Sequence, residues 1–158
     1  MNLQRVSALI LLDLSAAFDT IDHNILLSRL NSCFGISNTA QSLLASYLSQ
    51  RSQSVAIDQT LSPSLPLLRG VPQGSVLGPL LFTLYTTPLS HLLTDSSLQF
   101  YFYADDTQIY VSFSSTEANV ALTKLTSTLD QVHSWFCANR LVINPSKTEY
   151  LLIGTPQQ

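Results

Sequence analysis

The alternation of apolar and polar positions changes period several times along the chain, and each change marks an element. Val6 to Leu12 is a leucine- and β-branched-rich run that stops at Asp13, which predicts a strand buried on both faces with a carboxylate at its carboxyl end. Asp22 can cap a short helix carrying Ile25, Leu26 and Leu30, and Asn38 a second one with Ala40, Leu43, Leu44, Tyr47 and Leu48 on one face. Gln53 to Ile57 alternates briefly like a strand, and the three prolines and one glycine between Leu61 and Pro72 predict loop or hairpin structure. Pro79 suits the first turn of a helix carrying Leu80, Leu81, Leu84 and Tyr85, which Pro88 bends or interrupts. Leu98, Phe100 and Phe102 alternate with Gln99, Tyr101 and Tyr103, and Ile109, Val111 and Phe113 continue that period, so the segment predicts a hairpin with Asp105 and Asp106 at its tip. Ser114 and Glu117 have capping-box spacing ahead of the apolar stripe Ala118, Leu122, Leu125, Leu129, Val132 and Phe136. Leu141 to Ile143 and Tyr150 to Ile153 read as two further strands, joined by a turn from Asn144 to Lys147 that contains Pro145.

This order of elements is α+β and suits an antiparallel sheet backed on one face by helices, with Asp13 and the Asp105/Asp106 turn side by side at one sheet edge. The 158 residues are enough for one domain with a sizeable core. Only 11% of residues are charged and the formal charge is −3, which excludes a freestanding basic nucleic-acid binder. Two cysteines, Cys33 and Cys137, do not make an extracellular disulfide framework. The apolar run Ala8 to Leu12 is too short to span a bilayer and lacks the marks of a signal peptide. The expectation is an intracellular protein, cytoplasmic or nuclear, with no membrane partner.

Candidate chemistry centres on the carboxylates. Adjacent acids repel, so a hairpin presenting both Asp105 and Asp106 either reflects the turn preference of aspartate or holds a cation. Convergence with Asp13 suits two magnesium ions, which prefer oxygen ligands and leave positions for phosphate and water. Such a pair supports in-line nucleotidyl transfer. The glycine-rich Gly70 to Pro79 loop feeds a helix start and can place backbone N–H groups against an anion or a base pair. His133 and Trp135 read as members of a helix face.

Four segments, LLDLSAAFDTIDH from Leu11 to His23, RGVPQGSVLGP from Arg69 to Pro79, FYADDT from Phe102 to Thr107 and LVINPSKTE from Leu141 to Glu149, together resemble the four successive palm motifs of reverse transcriptases. The resemblance is to the non-LTR retrotransposon branch and covers almost the whole chain. It implies a single palm domain over residues 1–158, with an antiparallel sheet backed by helices around a ferredoxin- or RRM-like core. It implies RNA-directed DNA polymerase activity on an RNA template and DNA primer, with deoxynucleoside triphosphates and two Mg²⁺ ions, or Mn²⁺ in their place.

Residue by residue, the resemblance implies that Asp13 and Asp105 bind both metals with Asp106 in support, and that Phe18 excludes a ribose 2′-OH. Gln73 and Gly74 line the nucleotide pocket, Arg69 assists with phosphates, and Lys147 protonates or neutralises the leaving pyrophosphate. The bland alternatives are a core aromatic for Phe18 and solvated side chains for Arg69 and Lys147. Fingers and thumb do not fit in the sequence, since only Met1 to Val6 precede the first motif strand, so the chain reads as a fragment of a larger polymerase whose missing segments or another chain would grip the duplex. Two other readings are a catalytically inactive retrotransposon remnant that binds nucleic acid or protein, and a palm-type nucleotidyl cyclase, against which Phe18 and the PQG loop argue.

Overall fold

A computed structural model of the chain describes residues 5–96 and 98–154, so the first four residues of the short lead-in lie outside the described residues. The chain forms two compact units, one made of residues 1–17 with 86–158 and the other of residues 18–85.

The first unit is built on a four-stranded antiparallel sheet in the order β6, β7, β1, β8, formed by β1 (Val6–Leu12), β6 (Gln99–Tyr103), β7 (Asp106–Phe113) and β8 (Glu149–Ile153). Two-residue periodicity decides which side chains are covered. Ala8, Ile10 and Leu12 of β1 stand beside Val111, Ile109 and Thr107 of β7, and all but Val111 are buried. On this side α4 (Leu89–Asp95) packs on β6, and α5 (Ala118–Ala138) packs on β7 and α4. The α5 stripe supplies buried Leu125, Val132 and Phe136, with Leu122 and Leu129 half-buried. The capping box ahead of it is present: Ser114 N donates to Glu117 Oε2 at 3.0 Å.

Strand β1 is therefore buried on one face only. Leu9 and Leu11 on the opposite face are half-buried, because an antiparallel sheet needs cover on a single side. The expected strand at Leu141 to Ile143 does not form. Both flanks of β1 are already taken by β7 and β8, and Ile143 makes only an isolated bridge with Leu14, just past the strand. All five residues of β8 are exposed, and among the described residues no strand pairs with its outer edge.

The second unit holds α1 (His23–Phe34), α2 (Asn38–Leu48), β2 (Ser52–Gln53), β3 (Ala56–Ile57), β4 (Thr60–Leu61), β5 (Leu65–Pro66) and most of α3 (Leu77–Thr86). Asp22 caps α1 as expected, its Oδ1 accepting from Asn24 N and Ile25 N. Asn38 does not cap α2. The residue in capping position is Ser37, which makes no side-chain cap bond, and Asn38 follows it with φ +53°, a conformation that asparagine tolerates. The brief alternation from Gln53 to Ile57 divides between two ladders, β2–β5 and β3–β4. Helix α3 stops at Thr86 and α4 starts just beyond Pro88, so the proline interrupts the helix. Among the described residues no helix is long and apolar enough to cross a membrane.

Candidate active site

Asp13 and Asp106 meet at one end of the two central strands, while Asp105 stands in the adjoining turn and does not line the pocket they share. The pairing of β1 with β7 runs from Val6–Phe113 to Leu12–Thr107, so the next step along the ladder sets Asp13 beside Asp106. The sheet edge at which they meet is the one formed by the strand ends, since β6 and β8 occupy the lateral edges. The hairpin tip also differs in detail. Tyr103 pairs with Asp106, leaving Ala104 and Asp105 as the turn and Asp106 as the first strand residue. Asp105 is half-buried and Asp106 exposed.

A second segment completes this strand end. Asn144 N donates to the Asp13 carbonyl at 2.8 Å, which ties the Asn144 to Lys147 turn to the end of β1. The turn closes on itself as Asn144 Oδ1 accepts from Ser146 N and Oγ. Lys147 Nζ consequently lies 3.9 Å from Asp13 Oδ2. Asp13, Asp106, Ser146, Lys147 and Glu149 line a pocket of ≈ 450 Å³. Asp13 Oδ2 is buried yet accepts no hydrogen bond among the described residues. An ion pair with so exposed a lysine satisfies it poorly, and a buried carboxylate oxygen without a partner is unfavourable.

That oxygen is the feature that fits a hard cation. Among the described residues no group of three or more His, Cys, Asp or Glu is arranged to hold a metal. A one- or two-carboxylate donor set still matches magnesium, which draws its other ligands from water and substrate phosphate. A wider groove of ≈ 610 Å³ along α4 and α5 includes Asp95 and Lys124 and contains none of these residues.

The remaining candidates belong to the second unit. Phe18 is half-buried, its ring 4.8 Å from that of Phe82, so it is packed on one side and retains open surface. The 69–79 loop is bound to the segment that follows Phe18. Gly70 N donates to Ile21 O and Val71 N to Phe18 O, while the backbones of Arg69 and Asp22 form an isolated antiparallel β-bridge. His23 Nε2 lies 2.7 Å from the Gly70 carbonyl, which can only accept, so this nitrogen carries the proton. Gly70 has φ +86°, and a Cβ there would sit 2.9 Å from the Asp19 backbone, so the close approach requires glycine. Gly74 has φ +74° with open space around it, and Gln73 and the Arg69 side chain are exposed.

Two residues in this cluster carried no expectation from sequence, Asp19 and His23. Gln73 Nε2 donates to Asp19 Oδ1 and Oδ2, each at 3.0 Å. The available signal was the polar cluster Asp19, Asp22 and His23 directly after Phe18.

Comparison with known proteins places the chain in a family. The family described as "Reverse transcriptase (RNA-dependent DNA polymerase)" matches residues 1–157. The chain is 33% identical over 144 residues to a "Probable RNA-directed DNA polymerase from transposon BS" of Drosophila melanogaster, covering 88% of this chain and 16% of the relative. It is 32% identical over 130 residues to an "RNA-directed DNA polymerase from mobile element jockey" of the same species, covering 78% of this chain and 14% of the relative. The chain thus spans a small part of the length of these relatives. Among solved structures, a telomerase from Candida tropicalis matches with TM-score 0.73 at 14% identity, over 94% of this chain and 26% of that one, a likeness of fold.

Proposed function

Because the chain belongs to the reverse transcriptase (RNA-dependent DNA polymerase) family, we propose that it is a palm-type segment of a retrotransposon polymerase, carrying the nucleotidyl-transfer centre within a longer protein. The observation that carries the proposal is the buried Asp13 Oδ2, which has no hydrogen-bond partner among the described residues and only a long ion pair with Lys147, at the strand end that also bears Asp106. Asp13 and Asp105 would hold two Mg²⁺ ions, or Mn²⁺, with Asp106 in support. When bound, these ions lower the barrier to attack by a primer hydroxyl and stabilise the departing pyrophosphate.

The chain's own side chains have defined parts. Lys147 brings an exposed positive charge to the carboxylate pocket, where it would neutralise or protonate the leaving pyrophosphate. Phe18, braced by Phe82, would leave room for hydrogen but not hydroxyl at the sugar, selecting deoxynucleotides by size. Gln73 and Gly74 would line the nucleotide pocket, with the exposed Arg69 assisting at phosphate. RNA template, DNA primer and deoxynucleoside triphosphates are the proposed partners. With a formal charge of −3 this segment has few cations for the nucleic-acid backbone, so fingers and thumb elements or another chain would supply them.

The test is primer extension on an RNA template with Mg²⁺ and deoxynucleotides, with Mg²⁺-dependent deoxynucleotide binding read by calorimetry. The parent chain is compared with the Asp105→Ala, Asp106→Ala double variant. Extension and binding in the parent, each lost by at least about 100-fold in the variant, are expected for removal of a charge-stabilising centre. Signals that survive the double substitution, or a parent that binds no deoxynucleotide in Mg²⁺, overturn the assignment; binding without extension favours a segment that works only when joined to the rest of the polymerase.

A further inference from the structure

We infer that Asp19 is a positioning residue for Gln73, fixing the orientation of its amide so that the loop offers a hydrogen-bond acceptor to a donor group of the nucleotide. The inference rests on the nucleotide-pocket reading of Gln73, and it starts from the two bonds of Nε2 to Asp19 Oδ1 and Oδ2 at 3.0 Å. A glutamine amide can be placed either way round, and only its partners decide which end is which. An ionised carboxylate accepts and cannot donate. Of the two ends of the amide, only the NH₂ can therefore face Asp19. The carbonyl Oε1 is left for another partner, and an acceptor takes a hydroxyl or amino donor.

The backbone holds Asp19 where it can do this. Its Cα and carbonyl oxygen lie against Gly70, close enough that a Cβ on residue 70 would meet both at 2.9 Å. Hydrogen bonds from Val71 N to Phe18 O and from Gly70 N to Ile21 O bracket the contact, so the loop start and the Asp19 backbone are fixed on both sides. Asp19 and Gln73 are themselves exposed, so their bond competes with water and its loss leaves the fold intact. Preorganisation is what the bond contributes. Without it the amide samples both orientations and more than one rotamer, and binding must select one.

The experiment follows the Gln73 side-chain amide by ¹H–¹⁵N NMR and deoxynucleotide use by steady-state kinetics in the full chain, in the parent, Asp19→Ala and Asp19→Asn. In the parent, the Gln73 NH₂ resonances are expected away from those of freely exposed glutamines, and Asp19→Ala returns them to that group. The asparagine variant is the sharper probe, because its side chain can both accept and donate and so permits either amide orientation. KM for the nucleotide should rise by about 5- to 10-fold in Asp19→Ala and about 2- to 3-fold in Asp19→Asn, with kcat changed less, on the scale of one charge-assisted bond. A purely structural aspartate would lower kcat and KM performance alike and would not order the variants in this way. Gln73 resonances that are the same in the parent and Asp19→Ala overturn the inference, as does a KM unmoved by loss of the tether. The amide signature needs no turnover: a displaced Gln73 signal in a chain that uses no nucleotide supports the tether and overturns the polymerase reading instead.

Discussion

Asp13 and Asp106 stand at the ends of paired strands, whereas Gln73 is carried by a loop, and the two regions fix a side chain by different means. At the strand end, position follows from the register between Val6–Phe113 and Leu12–Thr107, with buried Ile10 and Ile109 locking the ladder from one face. A one-residue slip would turn the buried set outward, so the register is specified by many side chains at once. In the loop no ladder exists. The position of Gln73 depends on a few individual groups: the Asp19 carboxylate, the His23 imidazole and a glycine at residue 70. Distributed positioning should fail gradually and jointly, and tethered positioning abruptly at single residues.

The largest effect is expected on the tethered side. Gly70→Ala must adopt φ near +86°, at about 1–2 kcal/mol, and must displace the Asp19 backbone, at about 1–3 kcal/mol more, for a loss of about 2–5 kcal/mol in urea unfolding. Gly74→Ala meets only the first of these costs, because nothing lies within 4 Å of its added carbon. Equal losses from the two substitutions would show that the approach of residue 70 to Asp19 does not hold the loop.

Next comes the ladder. Ile109→Ala, at a fully buried site, should cost about 3 kcal/mol. The expected signature is a common drop in hydrogen-exchange protection along β1 and β7, since a ladder opens as a unit. Loss confined to the immediate neighbours of residue 109 would contradict distributed positioning.

The smallest effect is at the exposed cap that follows β7. Hydrogen bonds from Ser114, its backbone N–H first, hold the Glu117 carboxyl below its ordinary range. A depressed carboxyl stabilises the fold when ionised, so its contribution is full above the ordinary carboxylate range and vanishes as pH falls through the folded-state value. Thermal melts of the parent and Glu117→Gln should therefore differ slightly at neutral pH and converge in acid. A gap that widens on acidification would reverse the sign.

The same contrast explains what could be read from the sequence. Strand β1, the hairpin, the capping box and the α5 stripe announced themselves because ladders and helices repeat with a short period, and Asp13, Asp105 and Asp106 were placed by their position relative to those periods. In the region after α5, tertiary competition overrides the local pattern. Leu141 to Ile143 has strand composition, but the β1 flanks were filled by β7 and β8. Asp19 escaped notice for a different reason: its bond to Gln73 joins residues 54 positions apart, and a single side-chain tether leaves no periodic trace. The Asn38 capping expectation failed because serine at the preceding position takes the extended conformation that a cap requires.

Two alanines near the acidic strand end have a consequence for anyone selecting hardier versions of this chain. Ala104, immediately before Asp105, has φ +52°, and Ala16, just past Asp13, has φ +48°, a region where a methyl side chain costs about 1–2 kcal/mol. A library screened for heat resistance will be drawn to both positions, because glycine or asparagine relaxes each turn. Those are also the turns that aim the carboxylates. Survival at high temperature and turnover should consequently rank such variants in different orders, and a screen that reads only the first would drift away from the second.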